Sequence, residues 1–456
     1  MPGLVEKIAN YLDIKKRLLA PFVLLLLCTF FITWGAGMQQ SARFDLSKLF
    51  VAFTASLIAW WIIFVPNKPE TFPRYFNYFI LFVIAHTFIT YLFFFPNELT
   101  FASVQEQLLE GGFVYLMESK GTKIARILFF MLFAYCVASF LKSKQQLTIL
   151  ALSYGASVLL SVAIGGYVFE SQLGSEVRFG GGFLNPNYLG SSAFVAFFLN
   201  LIALTRRKLA TWAKTGCIGF LLVANLAVFL SASRAVLAAL FVSELIFVIF
   251  LPSLKRKLQY VVLILAITTS AFALTPSPFR KTLALRSYAS RVINDRGSER
   301  LDVWRDYLKK SSVYLPAGVG LMRTTEVTRG SFTTPQPRGT HNHYFGVLVQ
   351  LGPAGFLLFF SAMFQLWRQT FPSIGLLRKS PSSCALLGLV VGWAVMLMFR
   401  DFWQARDFWF SLGIWSACRS FTLDLANGKP DDQANHAGGL KEASTGGKHY
   451  ERRFVY

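Results

Sequence analysis

The stretch RGTHNHYFGVLVQLGPAG, residues 338–355, places His341 and His343 two apart where a polar segment gives way to an apolar one. The chain has only five histidines. A helix that starts here, capped by Thr340 or Asn342, sets His341 at its N-terminal end. That position and nearby arginines both disfavour the imidazolium. A neutral imidazole accepts a proton, so His341 is the candidate general base for a hydroxyl nucleophile. His343 lies about 200° further round a helix and is assigned a packing or interfacial role. The simpler reading of His341 is a hydrogen-bonded capping histidine.

Three arginines stand in contexts that suit an anion. Arg178 precedes FGGGFLNPNYLG, where glycines let backbone N–H groups approach a ligand. The helix expected from Pro186 then presents its positive end. Arg234 in SASRAVL falls in a turn too short to leave the membrane region, where an unpaired charge is costly unless it faces a polar cavity. Arg300 opens RLDVWRDYL, a loop helix carrying Trp304. The planar fork of Arg suits phosphate. Asn185 and Asn187 are candidates to hold backbone or sugar groups, and Asp401 to orient His341 or an arginine. Asn342 and Arg296 are supporting candidates. Headgroup contacts and plain ion pairs are the competing account of these charges.

The elements that must position these groups are membrane helices. The composition is 54% hydrophobic and 15% charged, with 47 Phe, and the mean hydropathy is +0.49. Long apolar runs recur along the chain, which indicates an all-α, polytopic integral membrane protein. Twelve spans are expected, at 18–36, 46–65, 74–95, 122–142, 146–169, 186–205, 210–231, 234–251, 257–275, 343–367, 381–399 and 404–421. Lys and Arg concentrate at the N-terminus and in the even-numbered loops, which puts both termini in the cytoplasm. The net charge of +22 is therefore assigned to loops and anionic lipid headgroups, not nucleic acid. The five cysteines all fall in apolar runs without C-x-x-C spacing, so neither disulfides nor a zinc site is expected.

The chain divides into helices 1–9 (1–275), a large outward loop (276–342), helices 10–12 (343–424) and a polar cytoplasmic tail (425–456) expected to be disordered. The segment 96–121 is amphipathic and suited to the interface. The loop 276–342 carries twelve Lys and Arg against five Asp and Glu. Topology alone does not call for that excess; a negatively charged partner outside the membrane does.

His341-Asn342, nine residues, Gly352, two residues and Gly355 together resemble the motif of bacterial lipopolysaccharide O-antigen ligases. RFGGGFLNPNYLG, SASRAVL, GSERLDVW and PAGVG resemble elements of the wider O-antigen ligase and polymerase family, over spans five to twelve. The first 150 residues match only in hydropathy. The resemblance implies a lipid-dependent, multi-spanning (GT-C type) glycosyltransferase of the bacterial inner membrane with a periplasmic active site. It also implies the substrates: a glycan on undecaprenyl pyrophosphate, transferred to a sugar hydroxyl of lipid A-core with inversion and without metal, nucleotide or other cofactor. In that setting Arg178, Arg234 and Arg300 hold the pyrophosphate and His341 activates or orients the acceptor hydroxyl. An O-antigen polymerase using the same donor is an alternative. So, in a different class, is a lipid-linked glycan transporter, which would need ionisable residues deep in several spans; His86 is the main one evident.

Overall fold

The computed structural model describes residues 16–33, 46–65, 72–94, 120–165, 178–181, 185–206, 209–287, 300–324, 327, 339–378, 380–403 and 405–426. Among these residues the secondary structure is helical throughout, with no strand. Arg296, the amphipathic stretch apart from its last two residues, and the tail beyond 426 lie outside them.

A helix occupies each of the twelve expected windows. They are α1 (Lys16–Phe31), α2 (Leu46–Phe64), α3 (Arg74–Ile89, continued by a π turn over Thr90–Phe94), α4 (Lys120–Phe140), α5 (Lys144–Gly165), α6 (Pro186–Leu204), α7 (Thr211–Ser231), α8 (Arg234–Phe250) and α9 (Leu254–Leu274). The described residues of the 276–342 segment include the short helices α10 (Ser277–Ser287), α11 (Arg300–Lys309) and α12 (Ser311–Tyr314). Then come α13 (His343–Thr370), the short α14 (Ile374–Leu377), α15 (Pro381–Leu397) and α16 (Arg406–Ala426). Seven of the described helices are long and apolar enough to cross a membrane, and three shorter apolar ones accompany them. The protein is a polytopic membrane protein. A helix satisfies its own backbone hydrogen bonds, which a lipid interior demands.

The core helices differ sharply in what they bury. In α6 every residue from Leu189 to Ala203 is buried, whereas α9 buries only Ile264, Ile267 and Ala271. Thus α6 is the central post, and α9 shows most of its apolar side chains to the outside, as a lipid-facing helix does. All five cysteines are buried and free. His86 is not alone at depth: α8 carries Glu244, whose Oε1 is buried and has no hydrogen-bond partner among the described residues. Its single acid in an apolar run leaves no periodic signal to read.

The break in α13 organises one end of the bundle. Gly352 has φ 69° and Pro353 follows it, so the helix kinks there. Pro also removes an N–H from the ladder. The freed carbonyls find partners in the PAGVG segment: Val319 N donates to Val349 O (2.9 Å) and Gly320 N to Gln350 O (3.0 Å). His86 Nε2 lies 2.7 Å from Ala317 O, and Tyr91 Oη donates to Leu321 O at 2.8 Å, so α3 grips the same segment. Two motifs far apart in sequence are thus one structural unit.

Gly318 shows how tight that unit is. Its φ is +82°, and a Cβ there would stand 2.5 Å from both Gln350 O and Gly352 N. Gly318→Ala is expected to destabilise the protein by about 2–4 kcal/mol through left-handed strain plus overpacking. The measurement is the thermal midpoint in detergent. Gly339→Ala is the control, because an added Cβ there meets nothing nearer than Thr324 Oγ1 at 4.0 Å; equal midpoints for the two variants would refute the argument.

Candidate active site

Arg178, Asn185, Asn187, Arg234, Arg300 and His341 all line one cavity of about 320 Å³. Ser233, Met396, Phe399, Arg400 and Phe402 complete much of its wall. Each predicted residue arrives on a different local device.

Asn185 caps α6: its side chain accepts from Asn187 N at 3.0 Å, with Pro186 in the first turn. Pro there costs no hydrogen bond, since that N–H has no intrahelical partner. The cap leaves Asn187 facing the neighbouring loops. Asn187 Oδ1 accepts from Arg178 Nη2 at 3.0 Å and from Ser233 Oγ at 3.0 Å. Arg178 Nε also donates to Ser231 O at 3.1 Å. Asn187 Oδ1 therefore positions an arginine and a turn.

The α7–α8 connection is two residues long, with Ala232 left-handed at φ 45°. The tight reversal makes Arg234 the first residue of α8 and keeps it at the cavity. Arg300 begins α11, and its guanidinium carbon lies 5.9 Å from the Phe399 ring centroid. Val303 and Tyr307 of α11 are buried, and Trp304 Nε1 donates to Thr340 O at 2.9 Å. Trp304 also stacks on Phe345, centroids 6.1 Å apart. The loop helix is in this way tied to the residue just before His341.

Of the two capping candidates, Asn342 is the cap: its side chain accepts from Phe345 N at 3.0 Å. Thr340 instead donates its hydroxyl to Asn342 O at 3.0 Å. His341 precedes the cap, is exposed, and has φ 47°. A left-handed non-glycine residue is uncommon, with His among the more tolerant types. The conformation turns this imidazole to the cavity while the following residue enters the helix.

Asp401 does not serve His341. Its Oδ1 lies 3.2 Å from His343 Nδ1 and accepts from Trp403 N at 3.2 Å. Its Oδ2 lies 3.5 Å from Gln350 Nε2. His343 is completely buried among the rings of Trp403, Phe359 and Phe408. The correction follows from the local backbone: His341 stands before the cap in a left-handed conformation whereas His343 opens α13, so the two imidazoles point to different places and the carboxylate belongs to the buried one. Packing is accordingly the role of His343. Gln350 also accepts from Met322 N at 2.7 Å, so one side chain joins Asp401 to the residues just after PAGVG.

Sequence reasoning missed Arg400. It lies beside Asp401 in the α15–α16 connection and lines the cavity; a lone arginine in a short loop carries no spacing signal. Four arginines and a histidine therefore face one space, and no carboxylate lies among the described residues lining it. Among the described residues no three His, Cys, Asp or Glu converge as a metal-binding group.

The fold and site define a polytopic membrane protein with a cationic, histidine-bearing cavity near one end of its bundle. Residues 218–360 match the family model described as O-Antigen ligase. The match includes Arg234, Arg300, His341, Gly318, Gly352 and Gly355; Arg178, Asn187 and Arg400 reach the cavity from outside it. No curated protein sequence matches the chain.

Proposed function

We propose that the protein transfers a glycan from undecaprenyl pyrophosphate to a sugar hydroxyl of lipid A-core, at the periplasmic face of the bacterial inner membrane. The observation that carries this reading is the shared cavity: Arg178, Arg234 and Arg300, from three separate loops, meet His341 there, and all but Arg178 fall within the residues that match the O-Antigen ligase family model. Arg178, Arg234 and Arg300 hold the pyrophosphate and stabilise the charge that builds as it leaves. His341 takes the proton of the acceptor hydroxyl. Pyrophosphate is a good leaving group, so positioning and charge supply most of the catalysis, with inversion and without metal or nucleotide.

The lipid tail of the donor fits a second space. An apolar groove of about 360 Å³ lies between α13, α15 and α16, with Tyr344, Phe364, Trp367, Val390 and Leu412 among its walls. Trp393 lines the groove, and its ring meets Phe402 of the cationic cavity at 5.1 Å. A pyrophosphate in one and a polyprenyl chain in the other suit a single amphipathic donor. In this topology twelve helices span the membrane, the loop 276–342 is periplasmic, and both termini, with the tail 425–456, are cytoplasmic.

The test is transfer by purified protein given lipid-linked O-antigen and lipid A-core, in EDTA and without nucleotide. Glycan on lipid A-core is the expected product. Glycan that lengthens on the donor lipid would make the protein a polymerase with the same site. Glu244 of α8, with its Oε1 buried, is the sort of group a lipid-linked glycan transporter uses. No transfer of either kind by folded protein would favour that class instead.

A further inference from the structure

Arg400 has features the other cavity residues do not explain. Its Nη1 is buried and has no hydrogen-bond partner among the described residues, although a buried guanidinium ordinarily satisfies its donors. Its Cζ stands 3.8 Å from the centroid of Tyr188 and 5.4 Å from that of Phe402. Both rings attract the cation through their faces, which fixes its place without using its N–H groups. The nearby carboxylates are engaged elsewhere. Asp401 is held by His343, Gln350 and Trp403 N. Asp407 accepts from Tyr154 Oη and Ser192 Oγ, each at 2.6 Å. The Asp401 contacts also pin the backbone next to Arg400 onto α13.

We propose that Arg400 is a fourth anion ligand of the cavity, held over Tyr188 with its donors left for the pyrophosphate of the donor lipid. This rests on the proposed function. It assigns the substrate-binding role to a residue outside the region that matches the family model. Tyr188 is then a positioning residue: its ring, not its hydroxyl, does the holding.

The test is binding of undecaprenyl pyrophosphate to the purified full chain in detergent, with undecaprenol as the phosphate-free comparison, at several salt concentrations. Arg400→Met keeps the stem and removes the charge; it is expected to weaken pyrophosphate-lipid binding about tenfold or more and leave undecaprenol binding unchanged. Its affinity should also fall less steeply with salt than that of the unaltered protein. Arg400→Lys should recover part of the loss, because a point charge lacks the fork. Tyr188→Phe should bind as the unaltered protein does, and Tyr188→Leu should bind more weakly. If Arg400→Met binds normally while Arg234→Ala does not, the assignment of Arg400 is wrong and the proposed function stands. If the unaltered protein does not prefer the pyrophosphate lipid to undecaprenol, both fall together.

Discussion

His341→Ala should lower the turnover of glycan transfer about 10²–10⁴-fold, the usual contribution of a positioned general base. Donor affinity should change little, because the arginines remain. Folding should be nearly unaffected, since the imidazole is exposed and the helix cap belongs to Asn342. His341→Asn is the sharper variant. Asn tolerates the left-handed backbone at this position as well as His does, and it can hydrogen-bond, but it does not accept a proton at neutral pH. Loss of turnover in both variants supports the base; recovery in Asn alone would reduce His341 to a positioning group. The pH profile gives a second readout. Protonation removes the acceptor lone pair, so the activity of the unaltered protein should show an acid limb. The residual rate of either variant should lack that acid limb.

The second large effect is expected at Arg234. Arg234→Ala should reduce transfer about 10²–10³-fold, the cost typical of removing one preorganised donor to developing negative charge. Arg234→Lys should restore only part of it. A structural role predicts something different from a ligand role here. The cavity gathers Arg178, Arg234, Arg300 and Arg400 without a lining carboxylate among the described residues. A ligand role predicts that the thermal midpoint of Arg234→Ala stays near that of the unaltered protein while activity falls. Transfer at normal rates would dismantle the shared site, and loss of activity accompanied by a lower midpoint would make Arg234 a structural arginine.

The sequence by itself determined the helices. Apolar runs of membrane length need no long-range partner to become helical, because lipid offers the backbone no alternative; each expected window accordingly holds one. It also determined several local devices whose reach is a few residues. Asn185 and Pro186 start α6, Asn342 caps α13, and the SAS turn delivers Arg234 to the head of α8. These features made Arg178, Arg234, Arg300 and His341 visible as one-sided polar groups in an apolar chain.

What the tertiary structure alone decided is which of those groups meet, and through whom. The partner of Asp401 turned out to be the buried His343, a choice fixed by which face of α13 packs against the α15–α16 connection. Asn187 became the anchor of Arg178 because the α7–α8 turn folds over α6. The link between PAGVG and the Gly352-Pro353 break needed a helix kink whose freed carbonyls only a neighbouring chain segment could satisfy. Arg400 reached the cavity by stacking on Tyr188, more than two hundred residues earlier in the chain. Such contacts depend on how helices pack, and packing is set by side-chain shape summed over many neighbours, a quantity that no short run of residues carries.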